Sequence, residues 1–374
     1  MTRTFLHSFD PAKASPIAGS TVDLDVSEIE DAGIREVLQT PGAAYGAWSI
    51  LDALLMPTGT GTPFIFKKPL GQAREVKVAL SGLFGRFVAR AYLERYFQLS
   101  IFAHLGSRTL VLDRRRQVTI KRLSRGDLPD WVACASNLSS LTVAEAKGCH
   151  DPGGPAKALD RAWAQAQRID VTAKGRKVTV KRIAIATRWG VAMAGLADAH
   201  LSVRDPTDEG EPLDPMDKDA LYIGLLRLHI ANLVEPLGHP ELAGALRRLT
   251  QQPLPQRFED DITRARALLD ATPIRDVERA GVTGGLVGGI ITRAGPITDE
   301  TVGVADQEAL ARLNLRPVFV GIERDLIREA INGEAQIIRG RLAETVSPDE
   351  LARTDHAGGW IIPLGAERRI VGGA

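Results

Sequence analysis

Three side chains in the middle of the chain have the types and spacing for phosphate chemistry. Asp130 follows Pro129, and after fourteen intervening residues comes Glu145-Ala146-Lys147-Gly148. Each acid is attached to a short apolar run, Trp131 to Ala135 and Leu141 to Ala146. Side chains alternate along a strand, so Glu145 and Lys147 point to one face. If the two runs pair as a hairpin, Asp130 at the head of the first meets them there. Two carboxylates suit a hard divalent cation such as Mg²⁺, which takes oxygen ligands and keeps several waters. Such a cation polarises a phosphoryl oxygen and acidifies a bound water. A neighbouring ammonium, Lys147, could orient or help deprotonate that water, or stabilise charge building on the phosphate. These parts suffice to hydrolyse a phosphodiester. A surface hairpin carrying a same-face Glu145–Lys147 ion pair of little energetic weight would place the same residues together.

The elements that must position these residues are legible in outline. Val76 to Leu105 contains no proline, and Leu83, Phe87, Ala91, Leu93, Tyr96 and Phe97 recur at helical spacing, predicting one long helix ended by Gly106-Ser107. Three strand-like runs follow, at Gln117–Leu123, Trp131–Ala135 and Leu141–Ala146. Pro155 to Ile169 reads as a helix with proline in its first turn, and Lys181 to Thr187 as a buried strand. The expected order is helix, three-strand meander, helix, strand.

That order, with Pro129-Asp130 and Glu145-Ala146-Lys147, resembles the PD-(D/E)xK phosphodiesterase superfamily, the restriction-endonuclease-like nucleases. The resemblance spans about Val76 to Gly190, under a third of the chain. It implies an α/β fold with a restriction-endonuclease-like core. It also implies Asp130 and Glu145 as metal ligands, joined by the backbone carbonyl of Ala146, with Lys147 as the catalytic lysine and Mg²⁺ or Mn²⁺ as cofactor. Many members carry a further acid on the first helix, and Glu94 is the acid available there. The exonuclease-like branch places Gln-x-x-x-Tyr on the helix after the lysine; Gln165 is followed by Ile169 instead, so that signature is incomplete. Gln165 and His150 are auxiliary candidates. The function implied is a metal-dependent nuclease acting on DNA, in restriction or phage defence. RNA stays open as a substrate.

Charge bears on the partner. The chain is nearly neutral at +1, yet Ser81 to Gly190 carries 20 basic and 8 acidic residues, a local excess of +12. A stretch this basic suits a polyanion such as nucleic acid. Arg114, Arg115, Arg116, Lys121, Arg122, Lys174, Arg176 and Lys177 are the candidates to grip phosphates. Two rival readings use the same charge. In one, the protein is an inactive nucleic-acid-binding or scaffold subunit of a larger complex. In the other, an unrelated α/β protein packs its basic middle on its own acidic ends. The acidic segment Asp205 to Asp219 could act as an internal DNA mimic over the basic groove, or simply be a solvated linker.

Other chemistries lack their residues. There is no phosphate-binding Gly-x4-Gly-Lys-Ser/Thr loop, no His-Glu-x-x-His and no Gly-x-Ser-x-Gly elbow. Cys134 and Cys149 are the only cysteines, too few for a disulfide framework. No apolar run approaches the roughly 20 residues of a membrane helix, and the N-terminus lacks the apolar core of a secretory signal. The expectation is a cytoplasmic protein with no membrane partner, and with a protein partner or homodimer possible. The expected organisation is an N-terminal extension (1–75), the nuclease-like core (76–200), an acidic linker or loop (201–219) and a mostly helical α+β region (220–374) serving recognition, oligomerisation or regulation.

Overall fold

The computed structural model describes residues 2–40, 62–66, 74–105, 110–137, 141–191, 198–206, 215–277, 285–292, 295–297, 317–344, 353–354, 359–364 and 370–371. The chain opens with strands β1 (Thr2–Asp10) and β2 (Thr21–Asp25), then helix α1 (Val26–Gln39) and the short strands β3 (Thr62–Pro63) and β4 (Ile65–Phe66). Helix α2 (Arg74–Phe97) leads to β5 (Leu99–His104), β6 (Leu110–Asp113), β7 (Val118–Arg122), β8 (Trp131–Ala135) and β9 (Leu141–Cys149). Next come α3 (Ala156–Ala166), β10 (Ile169–Ala173), β11 (Arg176–Lys177), β12 (Lys181–Arg188), β13 (Gly190–Val191) and β14 (His200–Arg204). Helices α4 (Pro215–Val234), α5 (Pro240–Gln251) and α6 (Pro255–Ala271) follow. The last part comprises β15 (Asp276–Val277), β16 (Leu286–Thr292), β17 (Gly295–Ile297), β18 (Val318–Glu323), α7 (Arg324–Asn332), α8 (Ala335–Glu344), β19 (Arg353–Thr354), β20 (Gly359–Pro363) and β21 (Ile370–Val371). Most of the acidic loop (207–214) and Gly106-Ser107 lie outside the described residues.

A mixed sheet runs in the order β2-β1-β14-β12-β9-β8-β5, with β3 alongside β1. Within it, β5, β8 and β9 form an antiparallel set, and β12 lies parallel to β9. Such a parallel neighbour needs a crossover, and α3 is part of the one that joins β9 to β12. A smaller sheet, β11-β10-β7-β6, is built from two hairpins inserted on either side of this core. A third sheet, β17-β16-β18-β20-β19, belongs to the C-terminal part.

Three expectations change. The helix expected to reach Leu105 stops at Phe97, because Gln98 takes a left-handed backbone (φ 55°). Leu99 to His104 then pairs with β8 as a strand. The run at Gln117–Leu123 is therefore not the first strand of the meander; it is β7, hydrogen-bonded to β6 and β10. In the C-terminal part, β20 pairs with β18 and β19 while β21 pairs with β15. At the N-terminus, β1 and β2 are hydrogen-bonded into the main sheet through β14, so residues taken for an extension build the same layer as the core.

The two faces of the sheet differ in kind. Along β12, Ile183 and Ile185 enter the large core, while Ala184 and Ala186 meet Ala158, Leu159 and Ala162 of α3. Alternation thus assigns one face to α3, and small residues on both sides let that helix lie close. On the opposite face, α2 approaches β9 backbone to backbone. A Cβ added at Gly148 would come within 1.9 Å of the Ser81 carbonyl oxygen, and one at Gly85 within 2.7 Å of the Gly148 nitrogen. At the outer edge, α4 covers β5: the Phe102 N–H donates to His229 Nδ1 at 3.1 Å, and Gln39 Nε2 reaches the His229 carbonyl at 3.3 Å.

Because the contact at Gly148 is with main chain, neither partner can swing away. Gly148→Ala should cost about 1–3 kcal/mol or more by prising α2 from β9, read as a lowered midpoint of urea unfolding. Gly244→Ala, at a helix position where a Cβ meets nothing within 4 Å, should be neutral or stabilising.

Candidate active site

The register sets where the three chemical residues face. Glu145 pairs with Ala184 and Lys147 with Ala186, so both look toward α3. The β8–β9 ladder ends at the Trp131–Ala144 pair. One step beyond it, the two acids replace the ladder. The Asp130 N–H donates to Glu145 Oε2 at 2.9 Å, and the Ala146 N–H donates to Asp130 Oδ2 at 2.9 Å. Each carboxylate holds the backbone of the other strand. Lys147 Nζ ion-pairs with Glu145 Oε1. Glu145 is fully buried, so this is not a surface ion pair of the bland kind.

Burial dominates the electrostatics. It pushes the Glu145 carboxyl up to about 9, with the nearby Asp130 adding to the effect and Lys147 opposing it. Asp130 is also raised, by burial first, against the pull of Arg86 and the Ala146 N–H. Two carboxyls that push each other toward the neutral form make a site that gains from added positive charge. Glu145 Oε1 is engaged by the Lys147 ammonium. Among the described residues no group of three or more His, Cys, Asp or Glu side chains converges as a metal cluster. The donor set is two carboxylates, with the Ala146 carbonyl next to Glu145 in sequence. That suits Mg²⁺, which is commonly held by one or two carboxylates and keeps several waters.

Behind Asp130 lies a charged cluster that the sequence reading missed. Glu36 of α1 is fully buried. Its Oε2 accepts from Trp131 Nε1 at 3.0 Å and lies 3.1 Å from His104 Nε2. Arg86 and Arg90 of α2 pair with it at 3.3 and 3.4 Å. Burial alone would raise the Glu36 carboxyl, but His104, Arg86 and Arg90 together hold it well below the usual carboxylate range. Glu94, the expected first-helix acid, is not brought to this point. It is bound to Arg35 at 2.5 Å and to Arg90 at 2.9 Å. The acid whose charge reaches Asp130 is Glu36. Its only signal in the sequence is a Glu set in the apolar helix Ile34-Arg-Glu-Val-Leu.

A cleft of about 780 Å³ opens beside Lys147, between the first turns of α2 and the second half of α3. Gln165 and His150 both line it, as auxiliary candidates should. The Gln165 amide is held by the Leu128 carbonyl at 2.5 Å. Burial, with Lys77 adding to it, pushes the His150 imidazole down to about 4.

The basic residues expected to grip phosphate stand elsewhere. Arg114, Arg115 and Arg116 form the β6–β7 turn, where Arg115 stacks 3.4 Å over the Phe258 ring. The Arg114 N–H donates to the Thr250 carbonyl. Lys174 pairs with Asp217 at 2.9 Å and Lys177 with Asp170 at 2.8 Å. Arg122 is bound to the Gly126 carbonyl, while Lys121 and Arg176 are exposed on the small sheet. None of the eight lines the cleft. The ends of the acidic segment are engaged within the protein, Asp205 with Lys181 at 2.8 Å and Asp219 with Arg339 at 2.5 Å.

Compared with protein-family models, curated proteins and solved structures, the chain matches none.

The raised Glu145 carboxyl has a stability consequence. Between about 4.5, its ordinary value, and about 9, the folded protein holds a proton that the unfolded chain has lost. Stability should therefore fall as pH rises through that window. In EDTA, Glu145→Gln should have a Tm close to wild type at pH 5 and a few degrees above it at pH 9. A Tm difference that stays constant from pH 5 to 9 would contradict this assignment.

Proposed function

We propose that this protein is a metal-dependent nuclease that hydrolyses phosphodiester bonds of DNA, with Mg²⁺ or Mn²⁺ as cofactor. The observation that carries the reading is the reciprocal clamp of Asp130 and Glu145, which sets a half-buried carboxyl, a fully buried one and Lys147 at one point beside the cleft. The order α2, then β5, β8 and β9, then α3 and β12 supports it, being the order expected of the restriction-endonuclease-like core.

Asp130, Glu145 and the Ala146 carbonyl would hold the cation. When bound, it would polarise a phosphoryl oxygen and acidify a water. Lys147 sits where it can orient that water or meet negative charge on the phosphate. Its ammonium must leave Glu145 Oε1 to do so. The backbone N–H groups of Asp130 and Ala146 fix the carboxylates before substrate arrives, the preorganisation such a site requires. Arg86, held by Glu36, supplies fixed positive charge on the far side of Asp130.

A second reading keeps one observation in its favour. The Lys147–Glu145 ion pair occupies an oxygen that a cation would need, which suits a binding subunit that has lost activity. Cleavage of plasmid, linear duplex, single-stranded DNA and RNA in Mg²⁺, Mn²⁺ or EDTA separates the two. The nuclease reading expects metal-dependent cutting that falls at least a hundredfold in Asp130→Ala and in Lys147→Ala. A folded wild type that cuts none of these substrates, with salt-sensitive DNA binding unchanged in both variants, would leave the binding-subunit reading standing.

A further inference from the structure

We propose that the cleft beside Lys147 takes a single strand of nucleic acid and excludes duplex. Its volume of about 780 Å³ equals a cube roughly 9 Å on a side. A B-DNA duplex is broader than its own major groove, about 12 Å wide, so a cleft of this volume suits one strand or a frayed end better than a duplex.

The walls carry the chemistry that a single strand needs. Arg74 and Lys77 stand on α2, Arg161 on α3 and Arg168 in the turn just after it, facing the same space. Arg168 is anchored, its Nη1 donating to the Asp127 carbonyl at 2.9 Å, which fixes its charge at the cleft. On the α2 wall, beside Arg74 and Lys77, Val78 is 64% exposed and gives the cleft an apolar surface. The face of a base is apolar and packs on such a surface. His150 Nε2 is buried at the cleft with no hydrogen-bond partner. A base edge or phosphate oxygen would satisfy it, and an orphaned buried polar atom otherwise costs stability. Cations on two sides, an aliphatic step and one unsatisfied ring nitrogen describe a channel for a phosphate chain with its bases attached. A basic surface lying along a double helix would need none of the last two.

That the strand is a substrate rests on the nuclease reading, so binding is measured apart from cutting. The probe is a labelled single-stranded DNA of twelve nucleotides, beside the same sequence as a blunt duplex, followed by fluorescence anisotropy in EDTA. The single strand should bind at least tenfold more tightly than the duplex. Lys77→Glu and Arg161→Glu should each weaken it at least tenfold. Lys77→Ala should reduce the slope of log K against log salt by about 0.7, one released counterion on a single strand. Arg257→Glu, an exposed change on α6, should alter nothing, and circular dichroism confirms that each variant is folded. Equal or tighter duplex binding, or cleft variants that bind as wild type, overturns the proposal. Cleft-dependent binding by a protein that cuts no substrate refutes the nuclease reading alone. Lys147-dependent cutting, with cleft variants binding and cutting as wild type, refutes the cleft alone.

Discussion

The site depends on two carboxylates that stand where a β-ladder would continue. Past Trp131 and Ala144 the strands could go on exchanging backbone hydrogen bonds. Instead, Asp130 and Glu145 each accept an N–H from the opposite chain. Those hydrogen bonds make it possible to bury Glu145 fully and Asp130 in part within a sheet, since a buried polar group is tolerated only when it is satisfied. They do not cancel the cost of burial, which together with the charge of Asp130 keeps the Glu145 carboxyl raised. Fold and chemistry thus meet in one pair of residues: the contact that ends the ladder also creates the demand for positive charge.

Supporting structure converges on that pair from both faces of the sheet. On the α3 side, alanines along β12 and α3 allow the helix to close over Glu145 and Lys147. On the α2 side, the approach of Gly85 and Gly148 fixes the strand just after the lysine. The Glu36 cluster joins α1, α2, β5 and β8 through one buried carboxylate with cations on several sides. Removing one partner from such a network leaves an uncompensated charge in the interior, which costs far more than the pair itself contributes.

The convergence of Asp130, Glu145 and Lys147 was legible because it needs only period-two alternation and one antiparallel pairing. Strands β8, β9 and β12 and helix α3 were legible for the same local reasons. Strand β5 was not, because a single residue in a left-handed conformation, Gln98, separates it from a helix whose apolar spacing runs straight into it. β7 was misassigned because its partner β10 is separated from it by β8, β9 and α3, and local pattern does not encode such a pairing. Glu36 and the cleft cations were missed because tertiary packing assembles them from distant segments. The charge count, read as a footprint, also took no account of internal pairing. Lys174 and Lys181 pair with Asp217 and Asp205, acids outside the basic window, so part of the local excess is balanced inside the protein.

One contact at the rim of the sheet has a consequence for how the chain can be divided. β5 is the last strand of the order, and an uncovered last strand offers its hydrogen-bonding groups to any extended chain nearby. Here α4 lies over it, and His229 takes up the Phe102 N–H. The helices after residue 215 therefore act as a guard on the sheet that carries the acids. A fragment ending before them would keep Asp130, Glu145 and Lys147 but expose an adhesive border, inviting pairing between copies. The acid-bearing sheet and the C-terminal helices are in that sense one unit of solubility, whatever separate tasks their surfaces perform.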